Sequence, residues 1–301
     1  MVIGLARSGI AAAEFLARRG ASVVATDTKS EGELPGEALA LRERGVRLEL
    51  GGHRRETLTG ATMVVVSPGV PWELPELEAA RAAGVPVIAE IELAFRHLAG
   101  RVAAITGTKG KTTTTAALGA MLREAGFDAR VGGNIGAPLV GLVEGSTEAT
   151  TFAVEVSSFQ LEGTVRFHPH VAVWLNLSGD HRDRHRALGA YVAAKARVFA
   201  NQGPGDWAVV NADDPAVLEQ ARAARARRLL FRTTGEPLPS GDGAFFEGDL
   251  ARLRLEGREE TLFRKGEVVL PGAHLHGDLL VAATAARLLG APAEAIARAV
   301  R

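Results

Sequence analysis

Apolar residues in this chain follow two rhythms that alternate along its length. Short, largely apolar runs, at 102–106, 151–156, 171–175, 207–211 and 228–231, have the length and character of strands. Between them, apolar residues recur at helical spacing, as in 10–19, where Gly20 closes the helix. The chain opens on a strand end at Val2-Ile3, then a glycine turn from Gly4 to Gly9, that helix, and a strand at 21–25 running into Asp27. Further strands are predicted at 63–66, before Ser67-Pro68-Gly69, and at 85–88, with a helix-like connector at 89–100. The stretch 244–270 alternates like hairpins, and helices are predicted at 221–228, 276–289 and 292–301. Strands alternating with helices predict an α/β fold with mainly parallel sheets. Its first part, 1–90, reads as a Rossmann-like domain, and 91–301 as a central P-loop-type mononucleotide-binding domain.

Composition narrows the function classes. The 301 residues are 47% hydrophobic and 23% charged, with a formal net charge of zero, which argues against a general nucleic-acid binder. The absence of cysteine excludes disulfides and thiolate metal sites. No apolar run reaches the roughly 18 residues of a membrane span, and the start lacks a signal-peptide pattern, so a cytoplasmic protein without membrane insertion is expected. Lysine is scarce. Only Lys29, Lys109, Lys111, Lys195 and Lys265 occur among 35 basic residues, and two of them share one loop.

That loop carries the strongest chemical signal. Gly107-Thr108-Lys109-Gly110-Lys111-Thr112-Thr113 lies between an apolar strand and a helix, as a nucleotide phosphate cradle does. Backbone N–H groups at the helix start and Lys111 suit the phosphates, and Thr112 suits Mg²⁺. Glu155 ends the next strand and can hold Mg²⁺, while Ser157, Ser158 and Gln160 beyond it can orient substrate or cap a helix. Asn176 to His185 follows another apolar strand and offers Asp180, His181 and Asp183 as acceptors and a metal-capable imidazole. Lys195 shares a helix face with Tyr191, Val192, Val198 and Phe199, so it either snorkels to the surface or points into a site. The turn Leu5-Ala6-Arg7-Ser8 with Asp27 downstream has the outline of a nucleotide-binding βαβ start, or of a plain tight turn. His53, His168 and His170 lack a supporting pattern and read as structural.

Together these residues resemble the Mur ligase family, the ATP-dependent amino-acid ligases of peptidoglycan synthesis. The resemblance rests on Gly107 to Thr112, Glu155-Val156-Ser157-Ser158, Asn176 to His185 and Lys195. Ser157 to Glu162, Gly132-Gly133-Asn134-Ile135-Gly136, Ser67-Pro68-Gly69-Val70 and Glu90-Ile91-Glu92-Leu93 look like the branch that adds D-glutamate. The resemblance implies ATP, D-glutamate and UDP-N-acetylmuramoyl-L-alanine as partners, and a monomer is expected. It implies Lys111, Glu155, His181 and Lys195 as catalytic residues, with Lys195 carbamylated. Two Mg²⁺ ions would be held by Thr112, Glu155, His181 and that carbamate. Asn134 and His181 would position the alanine carboxylate, with Ser157, Ser158 and Gln160 also on the substrate side. Leu5, Ala6, Arg7, Ser8, Asp27, Thr28, Lys29, Ser67, Pro68 and Gly69 would hold the UDP part, so NAD binding is not expected. Lys109 stands where the family has asparagine. In Gly272 to Asp278, Leu275 and Asp278 replace asparagines of the adenine side, where Asp278 is still assigned to ATP. The family's C-terminal amino-acid-binding domain is expected to be absent from residues 1–301, leaving weak ligation or none. Another ligase of the superfamily and a non-catalytic nucleotide-binding remnant stay open as alternatives.

Overall fold

In the computed structural model, which describes residues 1–177, 188–234, 236, 238, 241–269 and 272–301, the chain packs into two compact units, each built on its own sheet. The first takes residues 1–98 with two later returns, 137–145 and 158–167; the second takes 99–136, 146–157 and 168–301. A single cut at residue 90 is therefore too simple a description. Two buried carboxylates bind the returning segments. Glu90 accepts the Val140 N–H at 2.7 Å. Glu92 accepts the N–H groups of Val165, Arg166 and Phe167 at 2.9–3.0 Å.

The first unit runs β1 (Val2–Ile3), α1 (Arg7–Arg18), β2 (Val24–Asp27), α2 (Gly36–Leu39), β3 (Arg47–Leu50), α3 (Arg55–Thr59), β4 (Val64–Val66), α4 (Pro75–Ala82), β5 (Val87–Ala89) and α5 (Glu90–Phe95). All its strands pair in parallel, in the order β3-β2-β1-β4-β5. This is a doubly wound, Rossmann-like arrangement whose ligand crevice lies at the carboxyl ends of the central strands. Ile3, Val64, Val66 and Leu77 form part of its core. Helix α1 comes so close to the end of β1 that a Cβ at Gly9 would overlap the Gly4 carbonyl oxygen. The Ser67 hydroxyl donates to that same carbonyl at 2.7 Å. Strand β3 escaped the sequence reading because an edge strand buries little, and Arg47 and Glu49 interrupt its apolar residues.

The second unit begins with β6 (Arg101–Thr106), α6 (Lys111–Glu124), β7 (Asp128–Gly133) and β8 (Thr150–Glu155). After α7 (Ser158–Glu162), which belongs to the first unit, come β9 (Val171–Trp174), α8 (Leu188–Ala196), β10 (Trp207–Asn211), α9 (Pro215–Gln220) and β11 (Arg227–Phe231). The chain then forms β12 (Gly243–Glu247), β13 (Leu250–Leu255), β14 (Arg258–Arg264), α10 (Ala273–Leu288) and α11 (Ala293–Ala299). The sheet order is β14-β13-β12-β11-β10-β9-β6-β8-β7, parallel from β7 to β12 and antiparallel across β12, β13 and β14. Ile105, Leu118, Met121, Val173, Phe231 and Leu280 lie in one core cluster. The helix expected over 221–228 is not there. A 3₁₀ turn covers Ala221–Ala223, and Arg227 onward joins the sheet beside β10. Tertiary pairing overrides the helix preference of alanine and arginine. Among the described residues no helix is long and apolar enough to cross a membrane.

Candidate functional site

In the second unit, the loop after β6 lies at the carboxyl end of a central strand. Strand β6 lies between β9 and β8, so its carboxyl end opens where the strand order reverses. Gly110 sits at φ +82°, and a Cβ there would run into the Asp278 carboxylate. A left-handed residue in that space must be glycine. Helix α6 starts at Lys111 with no side-chain cap, which leaves its first N–H groups and the positive end of its dipole to an anion. The Lys111 ammonium rests on the Thr108 carbonyl at 3.0 Å. Burial lowers its pKa, and the charge of Glu155 works against that shift.

Glu155 is 2% exposed and bridges two predicted site residues. The Thr112 hydroxyl donates to its Oε2 at 2.8 Å, and the Asn134 amide donates to its Oε1 at 2.9 Å. The resulting oxygen donors fit a hard divalent cation such as Mg²⁺. Among the described residues no three His, Asp or Glu side chains converge to hold a metal by themselves. Thr113 follows on the first turn of α6, and Gly107 lies under the loop at the end of β6. Ser157 belongs to the second unit, whereas Ser158 and Gln160 belong to the first, on and around α7. His181, with Asp180 and Asp183, lies outside the described residues.

Lys195 does not snorkel. It is 2% exposed, and its ammonium donates to the Gly107 carbonyl at 2.8 Å and to the Thr106 hydroxyl at 3.3 Å. The ammonium also lies 4.8 Å from the centre of the Tyr191 ring. Its pKa is pushed down to about 7, chiefly by burial and then by Lys111, with Glu155 opposing. A lysine with its pKa lowered in this way gives up its proton more readily than a surface lysine does.

In the first unit, a cavity of about 740 Å³ opens at the carboxyl ends of β1, β2 and β4. Leu5, Ala6 and Arg7 line it from the turn after β1 and the start of α1, Asp27, Thr28 and Lys29 from the end of β2 and the turn after it, and Ser67 and Gly69 from the turn after β4. Ser8 and Pro68 are not among its lining residues. Asp27 uses both carboxylate oxygens on the backbone, accepting the Leu5 N–H at 2.6 Å and the Lys29 N–H at 2.9 Å. It therefore shapes the turn, and its engaged oxygens are poorly suited to the ribose hydroxyls of a dinucleotide.

The sequence reading missed several polar residues. His53 also lines the first cavity, with Nδ1 3.1 Å from the Thr26 hydroxyl, and burial lowers its pKa against the charges of Glu76 and Asp27. His168 instead pairs with Asp206 at 2.6 Å. Asn176 binds the phosphate loop itself. Its Oδ1 accepts the N–H groups of Thr108 and Lys109 at 3.0 and 2.9 Å, and its Nδ2 donates to the Lys109 carbonyl at 3.1 Å. Beside it a second cavity, about 480 Å³, is lined by Asn211, Phe231, Thr233, Lys265, His276 and Asp278 among others. An asparagine after a strand is a usable signal. Which loop it holds is not legible locally.

Residues 105–283 match the Mur ligase middle domain, and residues 1–89 match the MurD-like N-terminal domain of Mur ligases. A UDP-N-acetylmuramoylalanine--D-glutamate ligase of Acidobacterium capsulatum is 44% identical over 301 residues, covering 100% of this chain and 65% of its own length. The corresponding ligase of Pelotomaculum thermopropionicum is 42% identical, covering 100% of this chain and 66% of its own length. The chain thus spans about 65% of the length of these curated relatives. Among solved structures, the fold is similar to that of UDP-N-acetylmuramate:L-alanyl-gamma-D-glutamyl-meso-diaminopimelate ligase from Neisseria meningitides, with a TM-score of 0.66 at 21% identity, over 99% of this chain and 96% of that one. MurC of Thermotoga maritima gives a TM-score of 0.56 at 19% identity, over 99% of this chain and 67% of that one. With its phosphate loop and most of its second unit inside the matched middle domain, the chain belongs to the Mur ligase family.

Proposed function

We propose that this chain carries the UDP-substrate and ATP-handling parts of a cytoplasmic ligase that joins D-glutamate to UDP-N-acetylmuramoyl-L-alanine in peptidoglycan synthesis. The observation that supports it most is the meeting of Lys111, Thr112, Asn134 and Glu155 at the uncapped start of α6. In this reading ATP transfers its γ-phosphoryl group to the L-alanine carboxylate. The D-glutamate amine then attacks the acyl phosphate, and phosphate leaves. Lys111 and the α6 N–H groups hold the negative charge of the phosphates. Thr112 and Glu155 would hold Mg²⁺, which supplies further charge neutralisation when bound. Asn134, anchored on Glu155, orients the alanine carboxylate. The first-unit cavity takes the UDP part, with Lys29 and Arg7 supplying positive charge and His53 a ring edge.

Titration of residues 1–301 with UDP-N-acetylmuramoyl-L-alanine and, separately, with Mg-ATP tests this reading. Micromolar uptake of the UDP compound is expected, and binding of NAD or a folate in its place would refute the assignment. Lys111→Met is expected to weaken Mg-ATP binding by about 20-fold, the scale of one charge-assisted phosphate contact, while leaving the UDP compound unaffected.

Lys195 fits carbamylation, because only the neutral amine adds CO₂ and its pKa near 7 supplies that form at neutral pH. The product would turn a buried cation into an anionic oxygen ligand for a second Mg²⁺. With ¹³C-bicarbonate, a carbamate carbonyl resonance is expected that Lys195→Arg lacks. The same resonance in both proteins would assign it elsewhere.

A further inference from the structure

Three adjacent parallel strands, β9, β10 and β11, are tied together at their carboxyl ends by one tetrapeptide, Asn211-Ala212-Asp213-Asp214. It follows the middle strand and reaches both ways. Toward β9, the Asn211 amide donates to the Leu175 carbonyl at 2.6 Å, and Asp214 Oδ2 accepts the Leu177 N–H at 2.7 Å. Between those two anchors stands Asn176, whose amide grips the phosphate loop at Thr108 and Lys109. Toward β11, Asp213 Oδ2 accepts the Thr233 N–H at 2.9 Å and its Oδ1 accepts the Thr234 hydroxyl at 3.0 Å. Arg232 Nε lies 3.0 Å from the same Oδ1. Asn211 Oδ1 accepts the Asp213 N–H at 2.8 Å, which closes the turn. Asn176, Asn211 and Thr233 all line the 480 Å³ cavity beside the loop.

The chemistry of Asp214 is specific to a carboxylate. Its Oδ1 caps α9, accepting the N–H groups of Ala216 and Val217 at 3.1 and 3.2 Å, while Oδ2 holds Leu177. A serine can do the first job and not the second, because it offers a single short oxygen. Asp214 thus does more than a helix cap requires.

Building on the nucleotide-binding reading above, we infer that residues 211–214 are a positioning device for the nucleotide. Asp214 acts on the phosphate loop through Leu177 and Asn176, and Asp213 acts on the cavity wall through Thr233. Neither touches the phosphates. They set where the groups that do so are held, and a contact displaced by a fraction of an ångström loses much of its binding energy.

The two arms predict different defects. Calorimetric titration of residues 1–301 with Mg-ATP and with inorganic tripolyphosphate separates them. Asp214→Ser is expected to keep the thermal midpoint, since the cap of α9 survives, and to lose about tenfold in affinity for both probes. Asp213→Ala is expected to lose about tenfold for Mg-ATP and to bind tripolyphosphate as the unaltered chain does. Should Asp213→Ala not fold, Asp213→Asn, which keeps one acceptor, is expected to show the same pattern in weaker form. Unchanged affinity for both probes in Asp214→Ser overturns the inference. So does an equal loss for both probes in the two variants with a lowered midpoint, which is what a merely structural turn would give. If the unaltered chain binds neither probe, the nucleotide reading itself fails. Hydrogen exchange then decides on the brace alone: faster exchange at the Thr108 and Lys109 amides in Asp214→Ser supports it, and unchanged exchange overturns it.

Discussion

Glu92→Ala is expected to destabilise the protein by about 3–5 kcal/mol, the scale of removing one partner from a buried charged network. The Glu92 side chain is fully buried. Its Oε2 accepts the N–H groups of Val165 and Phe167 at 2.9 Å, and the Arg166 N–H is shared between both oxygens at 2.9 and 3.0 Å. Arg96 Nε, one helical turn away, donates to Oε1 at 2.8 Å. Loss of the carboxylate leaves three backbone donors without their acceptor, each worth about 1–3 kcal/mol when buried, and leaves Arg96 without its counter-charge. The three terms do not add in full, because Val165 and Arg166 lie near the surface and water can reach their amides. Urea unfolding checks the magnitude, and hydrogen exchange at residues 165–167 checks the cause. Glu92→Gln keeps an acceptor and should lose much less. A loss below about 1 kcal/mol in Glu92→Ala would mean that the return of 158–167 to the first unit is held by packing, such as the edge-on contact of Phe95 with Phe167.

The parts of this molecule that were legible in sequence are those whose signal is local. A buried parallel strand is a largely apolar run whatever lies beside it, so β6, β8, β9 and β10 could be read directly. The phosphate loop is local as well: a strand, a glycine that must be left-handed, and a lysine at a helix start. Lys195 was legible as a conflict, a charge on an apolar helix face. The structure resolves that conflict inward, onto Gly107 and Thr106. What escaped depends on partners far along the chain. Strand β7 ends in Gly132 and Gly133 and lies at the sheet edge, so little apolar patterning marks it. Asn176 takes its meaning from a loop 67 and 68 residues earlier, and Asp214 from Leu177, 37 residues earlier. The returns of 137–145 and 158–167 are written in Glu90 and Glu92. Their carboxylates bind backbone amides, which leave no side-chain signature in the returning segments.

Those two carboxylates sit two positions apart on α5 and have opposite energetic consequences, which gives the second large expectation. Glu90→Gln should stabilise the protein by about 3 kcal/mol at pH 8 and by less than about 1 kcal/mol at pH 5. Glu90 is 1% exposed, and among the described residues it accepts the Val140 N–H alone and its buried Oε2 has no hydrogen-bond partner. Burial pushes its pKa up to about 7, and the hydrogen bond from Val140 offsets only part of that. The folded-state value is therefore raised above the ordinary 4.5 that the unfolded chain retains. Between the two values the folded protein keeps a proton that the unfolded chain releases, so stability falls as pH rises from about 4.5 to about 7. Above that window the full cost of a buried, half-satisfied anion is present, about 3 kcal/mol at 1.36 kcal/mol per pKa unit. Glutamine keeps the acceptor for Val140 and has no proton to lose, so the slope disappears with the cost. Chemical unfolding of both proteins at pH 5 and pH 8 is the check. Equal stabilities at pH 8 would mean that Oε2 finds a partner when ionised, and the cost would then vanish. A carboxylate retained at such cost where glutamine would serve marks Glu90 as a place where the fold gives up stability, whereas Glu92 is where it gains it.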